Sequence, residues 1–233
     1  MIRKTIGFIL RSIDVRESDS VLTVLTRDYG KISLIAKGAR KTESKFTSAL
    51  DALTLSELVF YEGEDLKLLK EASIVRDFRA VKRGYHRLEV ALEAARLAHL
   101  LIEEEDPDLP VFVLFGEALA GLGEMDQHAL WALAFKLKLL RVLGIAPRLG
   151  RCAGCGKALA PELWFSPAGG GLVCPVCHRA GDTRVEAKLA QELKMILGMP
   201  WEKLDRLVVS DENIKLASRL LDELIGYHLK SVR

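Results

Sequence analysis

The chain has 233 residues, 49% of them hydrophobic and 28% charged, with a formal net charge of +2 at pH 7. That balance excludes a disordered chain and leaves room for one large domain or two to three small ones. No apolar stretch is long enough to span a bilayer. The best candidate, "ALWALAFKLKLLRVLGIA", is interrupted by Lys136, Lys138 and Arg141, and "MIRKTIGFILRSIDV" lacks the apolar length and cleavage site of a signal peptide. A cytoplasmic protein with reduced thiols is expected.

The first eighty residues have strand character. "TIGFILRS" alternates, with Ile6, Phe8 and Leu10 on one face and Thr5, Gly7, Ile9 and Arg11 on the other. "SVLTVLTRDYGKISLIAKG" reads as a hairpin turning at Gly30, its returning strand aiming Ile32, Leu34 and Ala36 one way and Lys31, Ser33, Ile35 and Lys37 the other. "ALTLSELVFYEG" and "DLKLLKEASIVRDF" make a second hairpin turning at Glu62 to Asp65. Five strands in so short a span predict a small closed antiparallel barrel of the OB type.

From about Lys82 the period changes to three and four, through Tyr85, Leu88, Leu92, Ala95, His99 and Ile102. This helix should stop before Pro107, because proline disfavours helical geometry in the residue before it. "PVFVLFGEALAGLG" and "DQHALWALAFKLKLLRVLG" follow as helices, with Asp126 as N-cap of the second and Gly144 as its terminator. "RVEAKLAQELKMIL" and "NIKLASRLLDELIGYHLKSV" are again amphipathic. The predicted class is α+β and multi-domain: an OB-fold barrel over 1–80, a helical domain over 81–148 and 183–233, and a cysteine module inserted at 149–182.

All four cysteines lie in that insertion. Cys152-x2-Cys155 and Cys174-x2-Cys177 are eighteen residues apart, which matches zinc spacing: each tight turn aims two sulfurs at one metal, and two turns complete a tetrahedron. Four protein ligands leave no open position, so the site is read as one structural zinc ion. Arg148, Arg151, Lys157 and Arg179 are near enough in sequence to offset the thiolates. A redox dithiol is the rival, but nothing nearby reads as a βαβ unit. His178 adjoins Cys177 and is read as a bystander.

The chain has no G-x-x-x-x-G-K-[ST], H-E-x-x-H or G-x-S-x-G. His86, His99, His128 and His228 sit on helical patterns as packed or surface residues. Glu103, Glu104, Glu105 and Asp106 read as a solvated helix end, since consecutive helical residues do not converge on one point. With no nucleophile, base and orienter together, a non-enzyme is expected.

The distribution of charge is more telling than its sum. Between Arg27 and Lys45 stand Arg27, Lys31, Lys37, Arg40, Lys41 and Lys45 against Asp28 and Glu43. An OB barrel commonly binds nucleic acid on its open face. Here that face would carry Lys31 and Lys37, with Arg11 joining them, and Arg27, Arg40, Lys41 and Lys45 would add phosphate contacts that are salt-sensitive and blind to sequence. Tyr29 and Phe46 are the few candidates for base stacking, whereas Phe8, Phe60 and Trp131 belong to apolar patterns and are assigned to the core.

"ESDSVLTVLTRDYGKISLIAKGARKTESKF", "LLRVLGIAPRLGRCAGCG" and "FSPAGGGLVCPVC", in this order, resemble the bacterial RecO recombination mediators. The resemblance implies an N-terminal OB-fold, a helical domain and a zinc module. It also implies binding of single- and double-stranded DNA, annealing of complementary strands, and work with RecR to load RecA onto strands coated by single-strand-binding protein (SSB). The location implied is cytoplasmic and nucleoid-associated, with no membrane partner. The helical domain is implied to receive the acidic, phenylalanine-ended SSB tail, for which Lys136, Lys138 and Arg141 near Trp131 and Phe135 could form a groove. Two other classes stay open: a zinc-ribbon adaptor for transcription or ribosomes that binds RNA or protein, and a DNA-processing enzyme whose site lies outside known motifs.

Overall fold

The computed structural model describes the chain apart from residues 16, 42, 43, 45, 64–66, 160, 232 and 233. It divides into two compact units, Met1–Glu124 and Met125–Arg233.

In the first unit, strands β1 (Ile2–Asp14), β2 (Ser20–Thr26), β3 (Gly30–Ala36), β4 (Thr54–Glu62) and β5 (Lys67–Asp77) close into a barrel in the order β1-β2-β3-β5-β4. The connectivity is OB-like, and it corrects the expectation of a wholly antiparallel barrel. Five alternating strands cannot all meet antiparallel neighbours when the sheet closes, so one seam must be parallel. That seam is β3–β5, through Leu34↔Lys67 and Ile35↔Leu68. The 62–65 turn expected between β4 and β5 falls partly outside the described residues.

Ile9, Leu22, Val24, Ile32, Leu34, Leu58, Phe60 and Leu69 fill the barrel, joined by Phe46 and Leu50 from the segment between β3 and β4. Phe46 is therefore core and not a stacking platform. Tyr29 also packs against this core, edge-on to Phe60 with centroids 5.7 Å apart.

Strand β1 alternates as its sequence suggests, but both of its faces are buried in the middle. Ile9 points into the barrel, while Phe8 packs outside it against Phe78, Phe112 and Phe115, with centroids 6.1, 5.0 and 5.2 Å away. A bulge between Ile9 and Arg11 then resets the alternation. Arg11 pairs with Thr23, and Thr23 with Ser33, so Arg11 stands on the outer face beside Ser33 and not on the face of Ile9.

A 3-10 turn (Thr47–Leu50) and the α-helices α1 (Arg79–Lys82), α2 (Tyr85–Leu101) and α3 (Leu109–Leu122) are the other helical elements described in this unit. The single helix expected from Lys82 is interrupted at Gly84, whose extended ψ of 120° resets the chain before α2. The acidic run after α2 is not a helix end. Glu104 forms a bridge beside Lys31, and the Glu105 N–H donates to the Lys31 carbonyl at 2.9 Å, so the run lies along the edge of the β2–β3 turn. Asp108 caps α3 by accepting from the Val111 N–H at 3.0 Å.

The second unit holds α4 (His128–Val142), a small sheet of β6 (Leu163–Ser166), β7 (Gly171–Val173) and β8 (Thr183–Val185), then α5 (Ala187–Gly198), a 3-10 turn (Trp201–Arg206) and α6 (Asp211–Ser231). The N-cap position of α4 is Gln127, one residue beyond the expected Asp126. Its C-terminus closes as expected at Gly144, with φ of 75° and the Ile145 N–H donating to Leu140 O at 2.9 Å. Trp131 and Phe135 are buried and stacked at 5.6 Å. No described helix is long and apolar enough to cross a membrane.

Candidate nucleic-acid interface and metal centre

The basic residues of the first unit divide by position. Lys37, Arg40 and Lys41 follow β3 and are exposed at the barrel end that also holds the β1–β2 hairpin tip. Two hydrogen bonds stitch these segments together: the Gly38 N–H donates to the Asp19 carboxylate Oδ1 at 2.9 Å, and the Arg40 N–H to Ser18 O at 3.1 Å. Arg40 is also ion-paired with Asp14 at 3.3 Å, whereas Arg11, Lys37 and Lys41 have no ion pair among the described residues. Ser33, Ile35 and Lys37 share the outer face of β3, and Arg11 continues it across β2 onto β1. Lys45 lies outside the described residues.

The remaining two cations are elsewhere. Arg27 sits in the β2–β3 turn, a strand length of about 20 Å from Lys37 at roughly 3.3 Å per residue. It pairs there with Asp28 at 3.0 Å. Its guanidinium holds the Asp28 carboxyl below its ordinary range, with a further contribution from the Thr5 hydroxyl. Lys31 corrects the expectation of an exposed phosphate contact. It is buried, with 6% relative exposure, and its Nζ donates to His99 O at 2.7 Å. Burial pushes its pKa down, and nearby Glu104 pushes it back up. The alternation of β3 is right, but α2 covers the outer face where Lys31 stands.

Sequence reasoning missed the apolar part of this surface. Ile13 and Val15 are 39% and 50% exposed on the hairpin arm, and Ile13 pairs with Val21 in the row that leads to Ile35. Exposed β-branched residues beside a turn, with Arg11 in the row before them, are the signal that could have found it.

The four cysteines come together as expected. All four sulfurs lie within 4.8 Å of one another, and Cys155 Sγ and Cys174 Sγ are 3.9 Å apart. A tetrahedron with metal–sulfur bonds near ~2.3 Å has edges of about 3.8 Å, so the cluster is the right size for one ion. Two backbone turns aim the sulfurs: Gly156 N–H donates to Cys152 O at 2.9 Å, and Cys177 N–H to Cys174 O at 3.0 Å. Gly154 makes room, since a Cβ there would sit 3.0 Å from Cys177 Cβ and 3.1 Å from its sulfur. Burial pushes the Cys152 thiol up, but the backbone amides of Cys155, Cys174 and Gly154 outweigh it and hold the pKa at about 6. Cys177 is pushed up to about 12, first by hydrogen bonding with Cys174, then with Cys155. One thiolate forms readily and the last does not, which is the state a divalent cation would resolve. His178 stays out of the cluster and stacks on Trp164 at 4.4 Å.

The cations offered for a peptide groove on α4 are used inside the second unit. Lys136 Nζ reaches Ser218 Oγ at 3.0 Å and Asp222 Oδ1 at 2.5 Å. Lys138 Nζ donates to Met199 O at 2.6 Å and lies 5.1 Å from the Trp201 ring centroid, and Arg141 Nη1 donates to Leu197 O at 3.0 Å. With Trp131 and Phe135 buried, this stripe is one packed helix, as its wet and dry faces would require.

Fold and site together define a class: α+β proteins that join an OB-like barrel with a cationic end to a helical unit carrying a cluster of four cysteines sized for one metal ion. Residues 1–78 match the family model described as recombination protein O N terminal, and residues 83–233 the one described as recombination protein O C terminal. The chain belongs to the RecO family. Among curated relatives, each named DNA repair protein RecO, the one from Moorella thermoacetica is 29% identical over 96% of this chain and 85% of its own length. The one from Pelotomaculum thermopropionicum is 31% identical over 97% and 89%, and the one from Anaeromyxobacter 36% identical over 76% and 71%.

Proposed function

We propose that this protein is a DNA repair and recombination mediator, not an enzyme. It binds single- and double-stranded DNA, anneals complementary strands and, with RecR, helps load RecA onto strands coated by SSB, whose acidic tail it engages. The observation that carries this reading is the barrel end where Lys37, Arg40 and Lys41 are exposed and the outer face extends through Ser33 to Arg11. Cations on an open strand face neutralise phosphates whatever the base sequence, and two strands neutralised together repel one another less. The four clustered cysteines would hold one structural zinc ion, which cross-links the two cysteine turns and supplies folding energy to the module. With four protein sulfurs around it, such an ion has no open position for substrate. The protein would work in the cytoplasm, associated with the nucleoid.

Annealing is the direct test. Two labelled complementary oligonucleotides, each coated with cognate SSB, should pair faster with this protein present and no ATP. No acceleration on coated or naked strands would refute the reading and leave an adaptor whose main partner is RNA or protein.

A further inference from the structure

Where the open strand face of the barrel runs up against α2, the first unit has a cleft of about 370 Å³. Leu10, Ala52 and Leu92 form its apolar lining, and Arg11, Arg96, His99 and Ser12 its polar lining. Its size falls within the roughly 300–1,000 Å³ of small-molecule sites. Two exposed guanidiniums on different elements, one from β1 and one from α2, border one concavity. Arg96 makes a 2.9 Å pair with Glu93 on its own helix, but both partners are largely exposed, so the pair holds it weakly. Beneath them the cationic Lys31 is buried against His99 O. The imidazole Nδ1 of His99 is buried with no hydrogen-bond partner among the described residues. A buried polar atom without a partner calls for an explanation. The lining itself holds two guanidiniums and no carboxylate; Glu93 pairs with Arg96 from the side of the helix, and Glu104 acts on Lys31 and His99.

We propose that this cleft is a nucleotide subsite, in which Arg11 and Arg96 hold one phosphate group while Leu10 and Leu92 receive the adjoining sugar or base. Guanidiniums suit this task because their planar forks give two parallel hydrogen bonds to phosphate oxygens. The phosphate can belong to a DNA strand or to a free nucleotide. For the strand-borne source the inference rests on the DNA-binding reading above: a strand lying on the outer face of β1–β3 would enter the cleft at Arg11. The bulge in β1 is what makes this possible, since without it Arg11 would follow the face of Ile9.

The test uses the full-length protein, with the ring proton signals of His99 as a local reporter and three probes: a 30-residue oligothymidylate, dTMP and inorganic phosphate. The oligonucleotide should shift the His99 signals, and Arg11→Ala with Arg96→Ala should remove the shift and weaken its binding roughly tenfold. The log–log salt slope should fall by about 0.7 for each phosphate left without its arginine. Both arginines are exposed, so the fold should survive. A shift with dTMP and phosphate as well supports the free-nucleotide source, and a shift with the oligonucleotide alone supports the strand. Wild-type affinity and salt slope in the double variant, with His99 silent to all three probes, would overturn the inference. So would a His99 shift produced only by an acidic peptide. If the wild type binds no DNA at all, the DNA-binding reading fails. The cleft is then judged by dTMP alone: a shift that Arg96→Ala abolishes sustains it, and silence ends it.

Discussion

Lys31 Nζ donates a 2.7 Å hydrogen bond to the backbone carbonyl oxygen of His99, sixty-eight residues further along the chain. One of the most suggestive cations in the basic run is therefore a tie between the barrel and α2. A charged donor to a buried acceptor contributes about 1.5–3 kcal/mol. Lys31→Met, which keeps the stem and removes the charge, should lose about that much stability in denaturant titration. Its DNA affinity, measured where it remains folded, should match the wild type; a flattened salt slope would return Lys31 to the binding surface.

Lys37→Ala, Arg40→Ala and Lys41→Ala combined should weaken binding to all DNA sequences alike. If each residue neutralises one phosphate of a single strand, the log–log salt slope falls by about 2. Arg40 is already paired with Asp14, so its single variant should have a smaller effect than that of Lys37 or Lys41. Fluorescence anisotropy at several salt concentrations would measure this. An unchanged slope moves the interface away from this barrel end.

Metal binding should depend on pH with a definite sign. The Cys152 thiolate is present down to about pH 6, whereas Cys177 held at about 12 must give up its proton to the metal. Affinity for zinc should therefore rise with pH through neutrality and fall steeply below about pH 6, with protons released on binding. Proton release on adding zinc to the stripped protein would be followed with a pH indicator. Cys152→Ser should lose the ion and destabilise its own unit while DNA affinity of the barrel is retained. Loss of all DNA affinity in a folded Cys152→Ser protein would contradict a purely structural role.

Gly30 supports a sharper prediction than its turn alone suggests. Its φ is 65°, and a Cβ there would meet the backbone of Asp106, with the carbonyl oxygen 2.3 Å away. Gly30→Ala should cost about 1–2 kcal/mol for the left-handed backbone and more for displacing that segment. A melting temperature equal to wild type would refute the close approach.

The barrel was legible because alternation over β1, β2 and β3 is a local property, and Gly30 marks its own turn. The four-cysteine cluster was legible because cysteine spacing is chemically narrow. What could not be read is what covers what. Lys31 and Lys37 stand on the same face of β3, yet α2 packs over the first and leaves the second open, and nothing local to the strand distinguishes them. The bulge at Leu10 is equally invisible, since the sequence alternates through it without a break. Phe46 reads as an aromatic in a polar loop because the core cluster it joins is built from strands distant in sequence. Helical periodicity accounts for Arg96 and makes His99 read as a packed or surface residue; their meaning appears only with Arg11 across the cleft.

The parity rule that made the β3–β5 seam parallel also makes it the barrel's clasp. Among the described residues the other seams run through seven or more residue pairs, whereas this one is held by Leu34↔Lys67 and Ile35↔Leu68. A closed sheet fastened so briefly along one line can come undone there while its hairpins stay zipped, and its amides should exchange with solvent ahead of those in β1 and β2. Unclasped, the barrel becomes an open, curved sheet, with Leu34 and Leu69 at a parted lining. The fold that presents the cationic end thus carries its own line of weakness a few residues from Lys37.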